Sequence, residues 1–348
     1  MNLVVILMRF HPVRLRHYLP SGLARESFFF PVLLVMLIGA FAANSQSSSS
    51  TPGGAPQTPG STRKSADPYT LRINAEEVIL NCTVLDDKGE LVNDLQKSEF
   101  KVSEDKVPQT IVSLQHQDLP VSIGLLIDNS GSMRAKRDAI VSAALDLVKA
   151  SNPEDEMFVV NFSDQAYLNQ DFTSDLDRLR GGLTQLSLSG GTAIYDTVST
   201  SADKLEKTAT RPRRALIVVT DGEDNASKLT LEDAIRRVQG MHGPVIYSIG
   251  LLFDGENGGR ETRRARHALE MLARETGGIA FFPGSLKDVD AVAAEVARDI
   301  RNQYTIAYHS THASNAGSFH SVKVEAHASG HAKLRVLTRS GYVSTAPR

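Results

Sequence analysis

Short apolar runs and helical patterns alternate through the middle of this chain. Between residues 119 and 302, runs bounded by turn residues alternate with segments in which apolar residues recur about every 3.6 positions. The runs predict strands at 121–127, 156–161, 214–220, 245–250 and 279–282. Strands that alternate with helices in this way predict an α/β fold, with a Rossmann-like, doubly wound and mostly parallel sheet.

Each predicted helix carries one apolar stripe, which predicts that one of its faces packs against the sheet. One stripe is formed by Leu176, Leu179, Leu183 and Leu186. Thr230 precedes another stripe and is predicted to be an N-cap, because its hydroxyl can accept a bond from a free backbone N–H group. Ser285 is a second predicted N-cap, and Gly277 is predicted to follow a helix in the left-handed conformation.

β-rich segments are predicted on both sides of the α/β region. Before it, Val78, Leu80, Cys82 and Val84 alternate with other residues, and residues 107–114 could form a further strand. The alternating pattern returns after the α/β region, and we predict that the two flanking segments pair as one small β-domain. The predicted boundaries are 69–118 for the N-terminal β-rich segment, 119–302 for the α/β domain and 303–348 for the C-terminal β-rich segment.

The N-terminus has the pattern of an export signal. Arginines precede an apolar run at 28–43, and the run ends near Ala40-Phe41-Ala42, which resembles a cleavage site. Residues 1–43 are therefore predicted to be a signal peptide or an N-terminal anchor, and residues 44–68 a disordered linker rich in Ser, Pro and Gly. We expect an exported protein, periplasmic or extracellular, which is either released or tethered to the membrane through residues 28–43.

The composition argues against some classes of function. A formal net charge of −2 with 22% charged residues disfavours electrostatic binding to nucleic acid, which depends on a basic surface. The chain has one cysteine, Cys82, and its alternation with apolar residues predicts a core position rather than a reactive thiol. The histidines show no zinc-ligand spacing on one helix, so they are predicted to be surface or hydrogen-bonded residues.

Carboxylate and hydroxyl side chains follow two of the predicted strands and precede one predicted helix. The candidate metal ligands are Asp128, Ser130, Ser132, Thr192 and Asp221. Open α/β sheets place their ligand sites at the carboxyl ends of the strands, where the two aspartates lie. Hard oxygen donors suit Mg²⁺, Mn²⁺ or Ca²⁺ better than zinc or copper. We therefore predict a site for Mg²⁺, with Mn²⁺ or Ca²⁺ as alternatives.

These five residues stand in the order D-x-S-x-S…T…D, and the chain therefore resembles the von Willebrand factor type A (VWA) family with its metal-ion-dependent adhesion site (MIDAS). The resemblance implies that the two serines contact the metal directly. It implies that Thr192 and Asp221 act directly or through water. Asp128 is expected to act through water and through hydrogen bonds to the serines.

A less specific resemblance extends over the flanking segments. Residues 95–105, 303–308 and 340–342 are similar to parts of bacterial, acidobacterial-type VWFA-related proteins. The whole resemblance covers residues 71–342. It implies that one β segment precedes the α/β domain and that a further segment follows it.

The charges of the predicted ligands favour an external acidic partner. Only two of the five ligands are carboxylates, so a divalent ion would keep much of its Lewis acidity and a position open for a carboxylate from outside. The resemblance implies the same partner, a protein that presents an Asp or Glu side chain. Glu223, Asp224 and Asn225 follow on the same rim and are predicted to be a solvated loop, with partner selection as the functional alternative.

The leading hypothesis is a non-enzymatic, metal-dependent adhesion module. A metal-bound structural subunit of a cell-envelope assembly is the alternative, and a metal-assisted hydrolase is a further one. A nicotinamide dehydrogenase would need G-x-G-x-x-G after the first strand of the sheet, and a serine hydrolase would need G-x-S-x-G at the strand–helix turn. The sequence around Ser130 has neither pattern.

Overall fold

The computed structural model describes residues 77–185, 190–240, 243–253, 259–312, 316–331 and 333–344. The predicted signal peptide and linker, residues 1–68, lie outside the described residues. Residues 73–348 form one compact unit. No helix in the described ranges is both long enough and apolar enough to cross a membrane.

The described residues form fourteen strands and six α-helices. The strands are β1 (Glu77–Leu85), β2 (Phe100–Glu104), β3 (Val107–Gln109), β4 (Ile111–Gln115), β5 (Val121–Asp128), β6 (Glu156–Phe162), β7 (Ala166–Thr173), β8 (Arg213–Thr220), β9 (Val245–Gly250), β10 (Ala280–Phe281), β11 (Tyr304–His309), β12 (Phe319–Ala326), β13 (Arg335–Leu337) and β14 (Gly341–Val343). The helices are α1 (Arg137–Ala150), α2 (Leu176–Thr184), α3 (Ile194–Thr208), α4 (Leu231–Gln239), α5 (Arg260–Thr276) and α6 (Val289–Arg301).

A six-stranded sheet forms the centre of the α/β region, in the order β10-β9-β8-β5-β6-β7. All neighbouring pairs are parallel except β6 and β7, which are antiparallel. The predicted doubly wound, mostly parallel sheet is therefore confirmed. Strand β7 was not predicted, because its residues are half-buried or exposed at the sheet edge and show no continuous apolar run.

Helices cover both faces of this sheet. Apolar residues of α1, α2 and α6 share one core with the sheet, and those of α3, α4 and α5 share another. The hydroxyl of Thr230 caps α4 by accepting from Asp233 N at 3.1 Å, and Gly277 follows α5 with φ +89°, as predicted. The predicted cap at Ser285 is wrong, because a short 3₁₀ turn precedes α6 and the Ser285 hydroxyl donates to Asp288 instead. Leu186 lies outside the described residues.

The flanking segments pair with each other in two four-stranded sheets, β13-β1-β11-β4 and β14-β12-β2-β3. β1 pairs with β11 and β2 pairs with β12, so each sheet joins the N-terminal segment to the C-terminal one. Both sheets contribute to one apolar core, as expected for a small β-domain. The predicted strand at 107–114 is divided, with β3 in one sheet and β4 in the other. Cys82 is buried in this core, and burial raises the pKa of its thiol to about 12.

Gly124→Ala should destabilise the protein, because β5 is buried on both faces. A Cβ atom at Gly124 would lie 2.5 Å from the Phe158 ring and 2.7 Å from Leu216 Cδ2. Overpacking of this kind costs about 1–3 kcal/mol of unfolding free energy. Chemical denaturation would measure the loss. Gly181→Ala is the control, since a Cβ there meets nothing within 4 Å and alanine favours the helix. Equal stability of the two variants would contradict the prediction.

Candidate metal centre

The candidate site lies where the winding of the central sheet reverses direction. The chain leaves β5 towards β6 on one side and returns later to β8 on the other side of β5. Ligand sites of open α/β sheets lie at such a point, outside the carboxyl ends of the strands. Asp128 is the last residue of β5, and Asp221 directly follows β8. The topology therefore brings together two carboxylates that are far apart in sequence.

Asp128 is fully buried and is held by hydrogen bonds. One carboxylate oxygen accepts from the backbone N–H of Ser130 at 2.8 Å, and the other accepts from the Thr220 hydroxyl at 2.6 Å. Burial raises the pKa of Asp128 above its ordinary value, and the Asp221 carboxylate adds to the increase, while the bonds from Thr220 and Ser130 oppose it. A cation near this carboxylate would favour its ionised form.

A chain of hydrogen bonds connects the two serines to Asp221. The hydroxyl oxygens of Ser130 and Ser132 lie 3.1 Å apart. Ser132 donates to Asp221 Oδ1 at 2.8 Å. Ser130 is buried, whereas Ser132 is exposed. The structure therefore brings four of the predicted ligands together and leaves the outer end of the group accessible from solvent.

Thr192 joins the group through the loop that follows Asp221. It is 4% exposed and lies just before α3. Its backbone N–H donates to Asn225 Oδ1 at 2.8 Å, and its carbonyl oxygen accepts from Asn225 N at 3.0 Å. A Cβ atom on Gly222 would lie 3.8 Å from the Thr192 hydroxyl oxygen. The hydroxyl is thus adjacent to the backbone that carries Asp221.

The residues that follow Asp221 form specific contacts with neighbouring elements. Asp224 accepts from the backbone N–H of Tyr195 at 3.0 Å and from the Ser227 hydroxyl at 2.6 Å. Together with Asn225, it therefore ties the loop to the N-terminus of α3. Glu223 forms an ion pair with Arg264 at 3.4 Å. Asn225 is exposed, as expected for a solvated loop, and its two hydrogen bonds also hold the backbone of Thr192.

Lys136 is a residue of the candidate site that the sequence interpretation missed. Its ammonium pairs with Asp221 Oδ2 and lies 5.3 Å from the centroid of the Phe253 ring. The Lys136 side chain is 19% exposed and that of Asp221 is 3% exposed. No local signal marks this pair, because Lys136 and Asp221 are 85 residues apart in sequence and meet only through the order of the strands.

The donor set fits a hard divalent cation. Two carboxylates and three hydroxyls supply oxygen donors only, which is the chemistry that Mg²⁺, Mn²⁺ and Ca²⁺ prefer. The ammonium of Lys136 already supplies a positive charge beside Asp221, so this carboxylate is arranged to hold a cation. A metal ion at Asp221 would have to compete with that ammonium.

Several solved structures are similar to part of this chain. No curated protein matches the chain. The VWF domain of the type V pili tip protein Mfa5 from Porphyromonas gingivalis is 15% identical, with 53% of this chain and 95% of that chain covered and a TM-score of 0.43. An aerotolerance-related membrane protein from Bacteroides fragilis is 21% identical, with 52% and 98% covered and a TM-score of 0.43. A von Willebrand factor type A protein from Catenulispora acidiphila is 15% identical, with 79% and 75% covered and a TM-score of 0.43.

The family model described as the von Willebrand factor type A domain matches residues 123–223. That range runs from β5 to the loop after β8 and includes all five candidate ligands. The observed sheet and its two layers of helices agree with the fold that the resemblance implies. Residues 123–223 therefore match the von Willebrand factor type A domain, the family that the order of the five candidate ligands resembles.

Proposed function

We propose that this chain is an exported, non-enzymatic binding protein whose VWA domain uses a divalent cation, Mg²⁺ in the first place, to hold a carboxylate of a protein partner. One observation carries the proposal: Asp128, Ser130, Ser132 and Asp221 converge at the carboxyl ends of β5 and β8. Thr192 lies beside them. These residues would hold the ion, which would supply an electrophilic position for an oxygen of the partner.

The charge balance at the site supports an acidic partner. Asp128 and Asp221 bring two negative charges, and the Lys136 ammonium already neutralises part of them. A divalent ion added to this group leaves it with excess positive charge, which an incoming carboxylate can offset. The exposed position of Ser132 gives such a partner access to the ion.

The N-terminal sequence supports export. Positive residues followed by an apolar run and small residues are typical of secretory signals. A protein interaction outside the cytoplasm is consistent with that signal and with a VWA domain. Residues 28–43 provide the membrane tether if the signal is not cleaved.

Acetate should strengthen the binding of Mg²⁺ to the full chain, because the metal and the carboxylate share one site and their coupling is reciprocal. Calorimetric titration of Mg²⁺ with and without acetate measures the effect, and Mn²⁺ should behave in the same way. Acetamide is the matched control, since it has a similar shape but no charge. The increase should disappear in Asp221→Asn. Equal effects of acetate and acetamide would contradict the proposed carboxylate position.

A further inference from the structure

A carboxylate and two imidazoles meet in the small β-domain, in a sheet that is separate from the candidate metal centre. Glu104 ends β2, His320 lies in β12 beside it, and His312 lies in the connection between β11 and β12. One potential ligand atom from each residue lies within 4.8 Å of the others. The prediction that the histidines are surface or hydrogen-bonded residues therefore omitted this cluster, because their shared position depends on strand pairing.

The carboxylate of Glu104 is buried and accepts several hydrogen bonds. It accepts hydrogen bonds from the hydroxyls of Tyr308 and Ser310 at 2.6 Å and from that of Tyr342 at 3.0 Å. Burial alone would raise the pKa of Glu104, but the bonds from Ser310, Tyr308, His312 and Tyr342 outweigh burial and lower the pKa below its ordinary value. Among the described residues, the imidazoles of His312 and His320 lie beside Glu104 Oε1. A buried carboxylate and two imidazoles therefore share one place inside the domain.

The distances in the cluster are close to those of a metal site. Glu104 Oε1 lies 2.8 Å from His312 Nδ1 and 3.9 Å from His320 Nδ1. Ligands of a tetrahedral zinc ion, each about 2.0–2.1 Å from the metal, lie about 3.3 Å apart. The Glu104–His312 separation is a hydrogen bond, which an ion could replace after a shift of roughly half an ångström. The 3.9 Å separation places the ring of His320 beside the same oxygen.

A second carboxylate orients one of the histidines. Asp105 Oδ2 lies 2.8 Å from His320 Nδ1. The other oxygen of Asp105 is fixed by the backbone N–H of Ser321 at 2.8 Å and by its hydroxyl at 3.0 Å. A carboxylate partner of this kind sets the orientation and tautomer of a metal-binding histidine by bonding the ring nitrogen that does not bind the metal. With Asp105 on Nδ1, the nitrogen of His320 that would bind an ion is Nε2.

We propose that Glu104, His312 and His320 form a second metal site, which binds zinc or a similar borderline divalent transition metal and in which Asp105 orients His320. Imidazole nitrogens favour such ions over Mg²⁺ and Ca²⁺, so this site and the oxygen-only site of the VWA domain select different metals. The ion links β2 of the N-terminal segment to the β11–β12 region of the C-terminal segment. Binding therefore stabilises the small β-domain.

Zinc titration of the full chain, after chelator treatment and with excess Mg²⁺ present, tests this site separately from the VWA site. The wild-type protein should bind zinc saturably and unfold at a higher temperature when zinc is added. The double variant His312→Gln/His320→Gln should bind zinc at least about tenfold more weakly and should lose the zinc-dependent increase in Tm. His309→Gln is the matched control, because His309 is an exposed residue at the end of β11 outside the cluster.

Asp128→Asn distinguishes the two sites, because it should leave zinc binding and its effect on Tm unchanged. The single variant His312→Gln carries the test if the double variant does not fold, since the His312 side chain is 32% exposed. Absence of saturable zinc binding in the presence of Mg²⁺ would overturn the proposal. Zinc binding of wild-type strength in the histidine variants, or its loss in Asp128→Asn, would overturn it as well.

Discussion

Asp128→Asn should weaken Mg²⁺ binding by about 10- to 100-fold without unfolding the protein. The substitution removes one of the two carboxylates at the carboxyl ends of β5 and β8 but keeps the size of the side chain. An asparagine can still accept from the backbone N–H of Ser130, and its amide group can donate to the Thr220 hydroxyl. The loss of affinity therefore reports the charge and not the shape of the residue.

Although Asp128→Asn should weaken Mg²⁺ binding, it should not lower the stability of the metal-free protein. Burial and the nearby Asp221 both disfavour the ionised form of Asp128, so a neutral residue of the same shape removes a cost. We expect the variant without metal to be at least as stable as wild type, and to gain little or no stability when Mg²⁺ is added. Thermal unfolding with and without Mg²⁺ measures both effects, and calorimetry gives the affinity.

Asp138→Asn is the matched control, because Asp138 is exposed in the first turn of α1 and lies near the same loop in sequence. It should bind Mg²⁺ with wild-type affinity. Wild-type affinity in Asp128→Asn would mean that the buried carboxylate takes no part in binding. Unfolding of Asp128→Asn without metal would mean that its charge serves the fold, in contradiction to the prediction.

The parts of the fold that the sequence predicted well are those with one strong local signal. β5, β8 and β9 are apolar runs buried on both faces of the sheet, and their bounds agree with the prediction to within one residue. β7 has no such run, because an edge strand needs little apolar surface. The division of residues 107–114 between two sheets depends on long-range pairing, which local alternation does not encode.

The two candidate metal sites differ in how well the sequence predicts them, for the same reason. Asp128, Ser130 and Ser132 lie on one loop, so their spacing is visible in the sequence. Glu104 and His312 are 208 residues apart and meet only because the terminal segments pair. In the sequence, Glu104, His312 and His320 resemble ordinary surface residues, and only the strand order shows that they meet.

The burial of Asp299 also depends on contacts between distant parts of the chain, which the sequence does not show. It lies in α6, where the sequence indicates a helix with one apolar stripe, yet it is only 2% exposed. Its carboxylate accepts from the Tyr247 hydroxyl at 2.6 Å and from the Thr83 hydroxyl at 3.2 Å. Both partners are distant in sequence: Tyr247 by 52 residues and Thr83, in the N-terminal segment, by 216 residues.

Lys136→Met should raise the affinity of the site for Mg²⁺ by about tenfold or more, which corresponds to at least about 1.4 kcal/mol. The ammonium of Lys136 pairs with Asp221 Oδ2, an oxygen that a metal ion would also attract. Wild-type protein must release this pair before Asp221 can contribute fully to metal binding, and the variant has no pair to release. Methionine keeps an unbranched chain of similar length, so packing near Phe253 is retained.

The same substitution should destabilise the metal-free protein, by about 1–3 kcal/mol. Removal of one partner of a buried ion pair costs about 3–5 kcal/mol, and the partial exposure of Lys136 reduces this cost. Added Mg²⁺ should restore the loss, so the increase in Tm on addition of Mg²⁺ should be larger in the variant than in wild type. Lys149→Met is the control, because Lys149 and Asp146 form an exposed pair, and its effect should stay within about 0.5 kcal/mol.

The result for Lys136→Met decides between two roles of the lysine. Stronger Mg²⁺ binding together with lower metal-free stability means that the ammonium holds Asp221 in place until a metal replaces it. Such a site would bind metal weakly on its own and more tightly when a partner carboxylate adds to the attraction. Unchanged or weaker Mg²⁺ binding would show instead that Lys136 supports the loop and does not compete. In that case the bond from Ser132 and the backbone around Gly222 would account for the low exposure of Asp221.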